Sequence, residues 1–191
     1  MAWAPDYVSA ADLRAALRID EAGDDDMLGL DVTAASRAVD KACRRQFGQV
    51  ASAEARTYEV ECDRSRGRWF AVVDDVQDLT GLEVLLDDVD VTADVSWLPL
   101  NAAQLGRPYT RIVLPSSGTT LEITALWGWT AVPDEVRKAT LLQASRFSAR
   151  RDTPFGVAGS PDMGSQVRLL DRVDPDVAVV IAGLMRPGRA L

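Results

Sequence analysis

The sequence predicts an α+β protein in which a helical core carries a β-rich insertion. Two stretches with apolar residues at helical spacing, about 24–46 and 133–151, flank a region in which apolar residues alternate with period two. Turn residues divide that region into short segments. The 191 residues are 47% hydrophobic, which is enough for a proper core. We expect a helical core domain from residues 1–53 and 129–191, with the β-rich insertion at 54–128.

The chain begins with two predicted helices. Ser9 and Asp12 have the spacing of a capping box, which predicts a helix over about 9–18. Its buried face is expected to consist of Leu13, Ala16 and Leu17. The second helix, roughly 24–46, has a stripe of small apolar residues that permits close packing on the 133–151 helix. In it, Asp40 can reach Arg44 at i,i+4.

Strand periodicity begins near residue 56. Six segments are predicted, at 56–61, 68–73, 82–86, 95–98, 109–114 and 119–127. The last two are separated by Pro115-Ser-Ser-Gly118, which predicts a hairpin. In the last segment, alternate residues share one face, namely Leu121, Ile123, Ala125 and Trp127. A surface loop is expected at 101–108.

The 133–151 helix has the clearest boundaries. Pro133, followed by two acidic residues, is typical of a helix start. Arginines fill its last turns, and the Gly- and Pro-rich segment 153–165 predicts a loop or arm. A short strand at 166–170 and a helix starting at Asp174-Pro175-Asp176 complete the prediction.

The composition excludes several functional classes. The net charge of −8 and the pI near 4.6 argue against a surface that grips nucleic acid. Because the chain has no histidine, Ser-His-Asp and Cys-His catalysis are excluded. The start lacks signal-peptide features, and no apolar run is long enough to span a membrane, so we expect assembly in the cytoplasm. Cys43 and Cys62 are expected to be buried or half-buried thiols.

Two acidic groups have some resemblance to metal loops. Asp24, Asp25 and Asp26 are better explained as charges at a helix start. Residues Asp88, Asp90, Thr92 and Asp94 alternate, which favours the solvated face of an edge strand over a calcium loop. No nucleotide-binding glycine motif is present. We therefore expect no metal, no cofactor and no catalytic residue.

Clusters of tryptophan and arginine leave alternatives open. Trp69, Trp97, Trp127 and Trp129 could stack on sugars, although packing in a sheet explains them more simply. Arg146, Arg150 and Arg151, with Arg168 and Arg172 later, could contact a partner or pair within the chain.

The stretch from Trp127 to Gly159 has the sequence WGWTAVPDEVRKATLLQASRFSARRDTPFGVAG, and Val-Arg-Leu follows at 167–169. This order of a Trp-Gly-Trp strand end, a Val-Pro-Asp helix start, an Ala/Leu-rich helix and an Arg-Arg-Asp-Thr-Pro-Phe-Gly exit resembles a known family. The family is the head-to-tail connector (adaptor, or head-completion) proteins of long-tailed bacteriophages. The resemblance covers residues 127–170, and the N-terminal helices fit it less specifically.

The resemblance implies a structural virion protein rather than an enzyme. Such a subunit would form a ring of twelve copies on the portal at the head–tail interface, extend the channel for double-stranded DNA and join the capsid to the next neck or tail-completion protein. It implies no membrane partner and no sequence-specific DNA binding. Family contacts with the portal involve extended C-terminal segments, which here correspond to 153–165 or 186–191. The candidate interface residues are Arg150, Arg151, Asp152, Pro154, Phe155, Arg186 and Arg189.

Two alternatives from other functional classes are also compatible with the sequence. One is a β-sandwich module that binds carbohydrate or protein through residues 54–128. The other is a carboxylate-dependent hydrolase, which would need two acids placed across a cleft.

Overall fold

The structure, a computed structural model, describes residues 4–19, 25–152, 157–158, 167–168 and 175–186. Contacts divide the chain into a helical unit, Met1–Phe47 with Val132–Leu191, and a β unit, Gly48–Ala131. Helices and antiparallel sheets are both present, so the predicted α+β class is confirmed. That the parts 1–53 with 129–191 and 54–128 are separate domains stays a prediction.

The helical unit begins with a capped helix, α1 (Ala10–Leu17). The Ser9 side chain accepts a hydrogen bond from Asp12 N–H at 3.1 Å, and the Asp12 carboxylate accepts one from Ser9 N–H at 2.8 Å. The predicted capping box is therefore confirmed. Leu13 is fully buried, but Ala16 is exposed, so the predicted buried face is too wide by one residue.

The second helix, α2 (Asp25–Cys43), ends earlier than expected because Arg44 adopts a left-handed conformation with φ of 56°. The predicted Asp40–Arg44 pair is wrong. Asp40 instead accepts a hydrogen bond from the Tyr7 hydroxyl and pairs with Arg37 Nε at 3.2 Å. The hydrogen bond from Tyr7 fastens the N-terminal segment to α2.

The long helix α3 (Asp134–Asp152) follows the prediction closely. Its Ala144 lies in a core cluster with Leu13 of α1 and with Leu28 and Val32 of α2. Phe147 packs against this cluster and is partly buried. The expected packing of α2 on α3 is confirmed.

The last helix, α4 (Pro175–Ile181), runs into a 3₁₀ turn, Ala182–Leu184. Val177 and Ile181 are buried. Two short strands, β9 (Val157–Ala158) and β10 (Val167–Arg168), pair antiparallel. The predicted strand at 166–170 is thus found, whereas the predicted loop at 153–165 contains β9. Residues 153–156 and 159–165 lie outside the described residues.

The β unit contains two four-stranded antiparallel sheets, with orders β1-β8-β4-β5 and β2-β3-β7-β6. The strand bounds are β1 Glu54–Glu59, β2 Glu61–Asp63, β3 Arg68–Val76, β4 Glu83–Leu86, β5 Val89–Asp90, β6 Ser96–Leu98, β7 Tyr109–Leu114 and β8 Thr120–Ala125. Only Val60 separates β1 from β2, so one stretch of chain contributes to both sheets. The inward face of β8 is buried at Leu121, Ile123 and Ala125, as expected from the alternation.

The predicted hairpin between 109–114 and 119–127 is wrong. Strand β7 pairs with β3 and β6, whereas β8 pairs with β1 and β4 in the other sheet. Pro115–Gly118 therefore connects the two sheets. The turn residues correctly mark the break between the two strands, but long-range pairing decides which strands each of them meets.

Candidate assembly surfaces

The predicted interface residues are only partly located by the structure. Arg150 lies half-buried in the last turns of α3. Arg151 and Asp152 belong to the same helix, but their side chains lie outside the described residues. Pro154, Phe155 and Arg189 also lie outside them. The set as a whole stays a prediction.

Arg186 is the second predicted residue that the structure describes. It is half-buried after the 3₁₀ turn, and its backbone N–H donates to Cys43 O at 2.8 Å. This bond fastens the end of α4 to the end of α2. Because α3 and α4 pack together, Arg150 and Arg186 belong to the same packed group of helices.

The helical unit exposes apolar side chains that the sequence interpretation did not single out. Val179 and Met185 in and after α4 are 77% and 46% exposed. In α2, Met27 and Leu30 are 44% and 63% exposed. The sequence does contain a signal for them, because these apolar residues lie outside the stripe that each helix buries. Exposed apolar residues that cluster are typical of protein–protein contacts.

The β unit exposes an acidic hairpin between β4 and β5. Its turn residues Asp87 and Asp88 have φ of 47° and 66°, as a two-residue type I′ turn requires. The Asp87 carboxylate accepts from Thr119 N–H and Thr120 N–H at 3.1 and 2.9 Å. Between Gly81 and Gly106 the sequence has no lysine or arginine. All charged side chains of the hairpin are therefore negative.

The predicted ladder of Asp88, Asp90, Thr92 and Asp94 on one strand face is wrong. Asp88 is in the turn, β5 ends at Asp90, and residues 92–94 form another turn. Asp90 accepts from Thr92 N–H at 2.9 Å, and this bond holds the pKa of Asp90 below its usual range. Its carboxylate thus stabilises a local turn.

Acidic residues at the start of α2 have a structural explanation. Asp25 and Asp26 are exposed in the first turn, where they favour the helix dipole, and Asp25 pairs with Arg14. Asp24 lies outside the described residues. Across the described part of the chain, no group of three or more His, Cys, Asp or Glu side chains could hold a metal ion.

A polar and aromatic cluster joins β1 to β3. Arg56 donates to Asp74 at 2.9 Å, pairs with Glu54 at 3.2 Å and lies 4.9 Å from the Trp127 ring centroid. The Tyr58 hydroxyl donates to Asp74 at 3.0 Å, and burial raises the pKa of Tyr58. Because these groups bind one another, the cluster holds the two strands together.

The tryptophans of the β unit are packing residues. Trp97, Trp127 and Trp129 are buried, and Trp69 is half-buried. The Trp127 indole N–H donates to Glu54 O at 2.8 Å. Buried rings cannot stack on a sugar, so Trp97, Trp127 and Trp129 provide no platform for a carbohydrate-binding module.

The two cysteines have different environments. Cys43 is fully buried, and burial raises its thiol pKa to about 11. Cys62 is exposed on β2, which corrects the expectation that both thiols are buried or half-buried. In the described segments, no helix combines the length and apolar character needed to cross a membrane.

Comparison with solved structures identifies a chain that shares the fold of this protein. No protein-family model and no curated protein sequence matches the chain. A chain from the neck of an empty GTA particle, computed with C6 symmetry, matches with a TM-score of 0.58 at 20% identity. The match covers 100% of this chain and 95% of that one. A chain from the virion of a native gene transfer agent particle matches with a TM-score of 0.46 at 19% identity, covering 88% and 94%.

Proposed function

We propose that this protein is a structural component of a virion, a ring-forming head-to-tail connector that docks on the portal. In this role it extends the DNA channel and joins the capsid to the neck or tail. One observation carries the proposal, namely the fold shared over 100% of this chain with a chain from a particle neck. Because that match includes both the helical and the β unit, the likeness is not limited to one common supersecondary motif.

The sequence resemblance over 127–170 supports the same role independently. Its Trp-Gly-Trp motif lies just after the last strand of the β unit, which ends at Ala125, and its Val-Pro-Asp motif begins α3. Both signals thus correspond to real element boundaries.

The proposed assembly is a closed ring of twelve copies. The neck that contains the similar chain was computed with C6 symmetry, and a sixfold axis is compatible with six or with twelve copies. The partners are other copies of the chain, the portal protein, the next neck or tail-completion protein, and double-stranded DNA that passes without sequence-specific binding. The net charge of −8 favours passage of DNA without adhesion.

The proposed location is the neck of the virion, after assembly in the host cytoplasm. No enzymatic step is part of this role. The contacts with partners are assigned to Arg150, Arg151, Asp152, Pro154, Phe155, Arg186 and Arg189. An aromatic residue and arginines are favoured at such contacts, and many weak contacts around a ring give high avidity.

The test is the mass of the full chain in solution, measured by sedimentation velocity and native mass spectrometry, alone and with the portal protein. We expect a closed oligomer of six or twelve copies, or its formation on the portal. A chain that stays monomeric at every concentration and ignores the portal contradicts the proposal.

The predicted interface is tested with the double variant Phe155→Ala, Arg151→Ala. We expect its melting temperature to stay near that of the wild type while assembly or portal docking is lost. A matched control is Leu105→Ala with Arg107→Ala, which also removes one large apolar side chain and one arginine, but from an exposed loop of the β unit. Equal assembly of both double variants would move the contact away from 150–155.

A further inference from the structure

Apart from Asp176 in its first turn, the exposed residues of α4 are apolar or small. Val177 and Ile181 point inward and are buried. Pro175, Ala178, Val179 and Ala182 lie on the opposite side and are exposed, with Val179 at 77%. Beyond this first turn α4 is apolar on all sides, and such a helix is normally covered on all sides. The outer face of α4 therefore has the composition of a buried surface.

A second exposed apolar face lies on α2. The inner stripe of this helix, which includes Leu28, Val32 and Ala35, is buried in the core cluster. Met27, Leu30 and Ala34, at i, i+3 and i+7, form a separate outer stripe, with Leu30 63% exposed. Both apolar faces thus belong to the helical unit, on different helices.

We propose that the outer face of α4 in one copy packs against the outer stripe of α2 in the next copy. This inference rests on the proposed ring. A closed ring requires two different surfaces on each subunit that fit each other, because its contacts are heterologous. The chain presents two such faces, and each has apolar side chains that only another apolar surface can cover.

The shapes of the two faces fit this contact. Alanines at 178 and 182 leave space around Val179, and a Cβ added at Gly183 would meet no atom within 4 Å. The large Leu30 side chain can enter that space, since small residues let two helices approach closely. The described part of the chain offers no internal packing reason for glycine at position 183.

Charge determines the orientation of the contact. The outer stripe of α2 continues to the exposed Lys41, and the exposed Asp176 lies at the start of α4. An antiparallel crossing brings Asp176 towards Lys41 and Met185 towards Met27. The distance along α2 from Met27 to Lys41 is roughly 21 Å at 1.5 Å per residue, whereas α4 with its 3₁₀ turn spans roughly 16 Å. The long Lys41 side chain therefore has to extend back along α2 to meet Asp176. DNA does not fit either apolar face, because phosphate binding requires clustered cations.

The test uses a charge swap in the full chain. Leu30→Lys and Val179→Asp are each expected to raise the concentration for half-assembly at least about tenfold, because each buries an unpaired charge. The chain that carries both changes pairs lysine with aspartate at every contact, so we expect it to recover assembly. Matched controls are Val89→Lys and Leu105→Asp, which alter exposed apolar residues of the β unit. Circular dichroism and melting temperature verify folding of each variant.

Assembly of the wild type is measured first, so that failure of the ring and failure of this contact are distinguishable. A wild type that assembles neither alone nor on the portal overturns both the proposed function and this contact. If the wild type assembles and both single variants assemble equally well, the ring stands and this contact is wrong. If Leu30→Lys loses assembly and Val179→Asp does not, the α2 stripes of two copies contact each other. If the variants lose portal docking but still assemble, the portal covers the exposed face. A lower melting temperature with unchanged assembly indicates cover from within the chain, and each of these three results also overturns the inference.

Discussion

Trp129 donates its indole N–H to Asp75 Oδ2 at 2.9 Å in the interior of the β unit. The same stretch of chain makes further contacts, since Gly128 N–H donates to Asp75 O and Trp129 N–H donates to Gly48 O at 2.6 and 2.9 Å. Gly128 has a φ of 109°, and a Cβ there would lie 2.0 Å from Gly48 O. Both the backbone conformation and the close approach therefore require glycine. The Trp-Gly-Trp motif is thus explained by structure within the chain.

The first prediction concerns this hydrogen bond. Trp129→Phe keeps an aromatic ring but leaves the buried Asp75 carboxylate without the indole donor, so we expect a loss of about 1–3 kcal/mol in the free energy of unfolding. Urea unfolding followed by circular dichroism measures it. Trp69→Phe, at a half-buried position on β3, is the matched control and should cost less. Equal losses in the two variants would mean that ring volume matters and the hydrogen bond does not.

The success of the sequence predictions depended on the range of the interactions. The capping box of α1 and the start of α3 were predictable because Ser9, Asp12 and Pro133 act within one turn of helix. The wrong hairpin had a non-local cause. The pairing of Trp69 with Leu114 places β7 in the sheet that lacks β8, and no local pattern encodes that choice.

The candidate surfaces also depend on structure that local sequence patterns do not encode. Alternation of Asp88 with Asp90 predicted a strand face, because sequence spacing alone does not reveal the left-handed conformations at Asp87 and Asp88. Leu30 and Val179 have ordinary positions in the sequence. Their exposure becomes known only when the inner faces of α2 and α4 are identified by packing. Of the predicted interface, the structure describes the side chains of Arg150 and Arg186 only.

Phe147 gives a second stability prediction. It packs against the cluster of Val8, Leu13 and Leu28 but is only partly buried. Phe147→Ala should therefore cost about 2–3 kcal/mol, below the 3–5 kcal/mol typical of a fully buried phenylalanine. Chemical denaturation gives the value. Val179→Ala, at an exposed position, should stay within about 0.5 kcal/mol of the wild type, and a similar small effect at Phe147 would show that the cluster does not depend on it.

The third prediction is a pH dependence caused by Asp40. Burial raises the pKa of this carboxyl, while the hydrogen bond from Tyr7 and the charge of Arg37 partly oppose the rise. Because the folded protein holds this proton more tightly than the unfolded chain, the contribution of Asp40 is fully present below about pH 4. It is lost as the pH rises through the folded-state pKa.

The measurement compares the free energy of unfolding of the wild type and Asp40→Asn from acidic to neutral pH. The wild type should lose stability relative to the variant as the pH rises. Asp63→Asn is a control for which the opposite pH dependence is expected. The side-chain hydrogen bond from Ser65, and after it the backbone one, lowers the pKa of Asp63. Parallel curves for the wild type and Asp40→Asn would show that Asp40 has the same proton affinity in both states.

The last prediction uses the two thiols as reporters of local structure. Cys62 is exposed on β2, whereas Cys43 is buried at the end of α2 and has a thiol pKa of about 11. A thiol reacts as its thiolate, so at pH 8 Cys43 is disfavoured by both access and ionisation. Native protein should consume one equivalent of a thiol reagent quickly and the second only when α2 opens. In Cys62→Ser the fast phase should vanish, while in Cys43→Ala the slow phase should vanish.

Because Cys43 O accepts from Arg186 N–H, truncation after Leu184 should expose the end of α2 and speed the slow phase. An unchanged slow rate in the truncated chain would show that core packing alone protects this thiol.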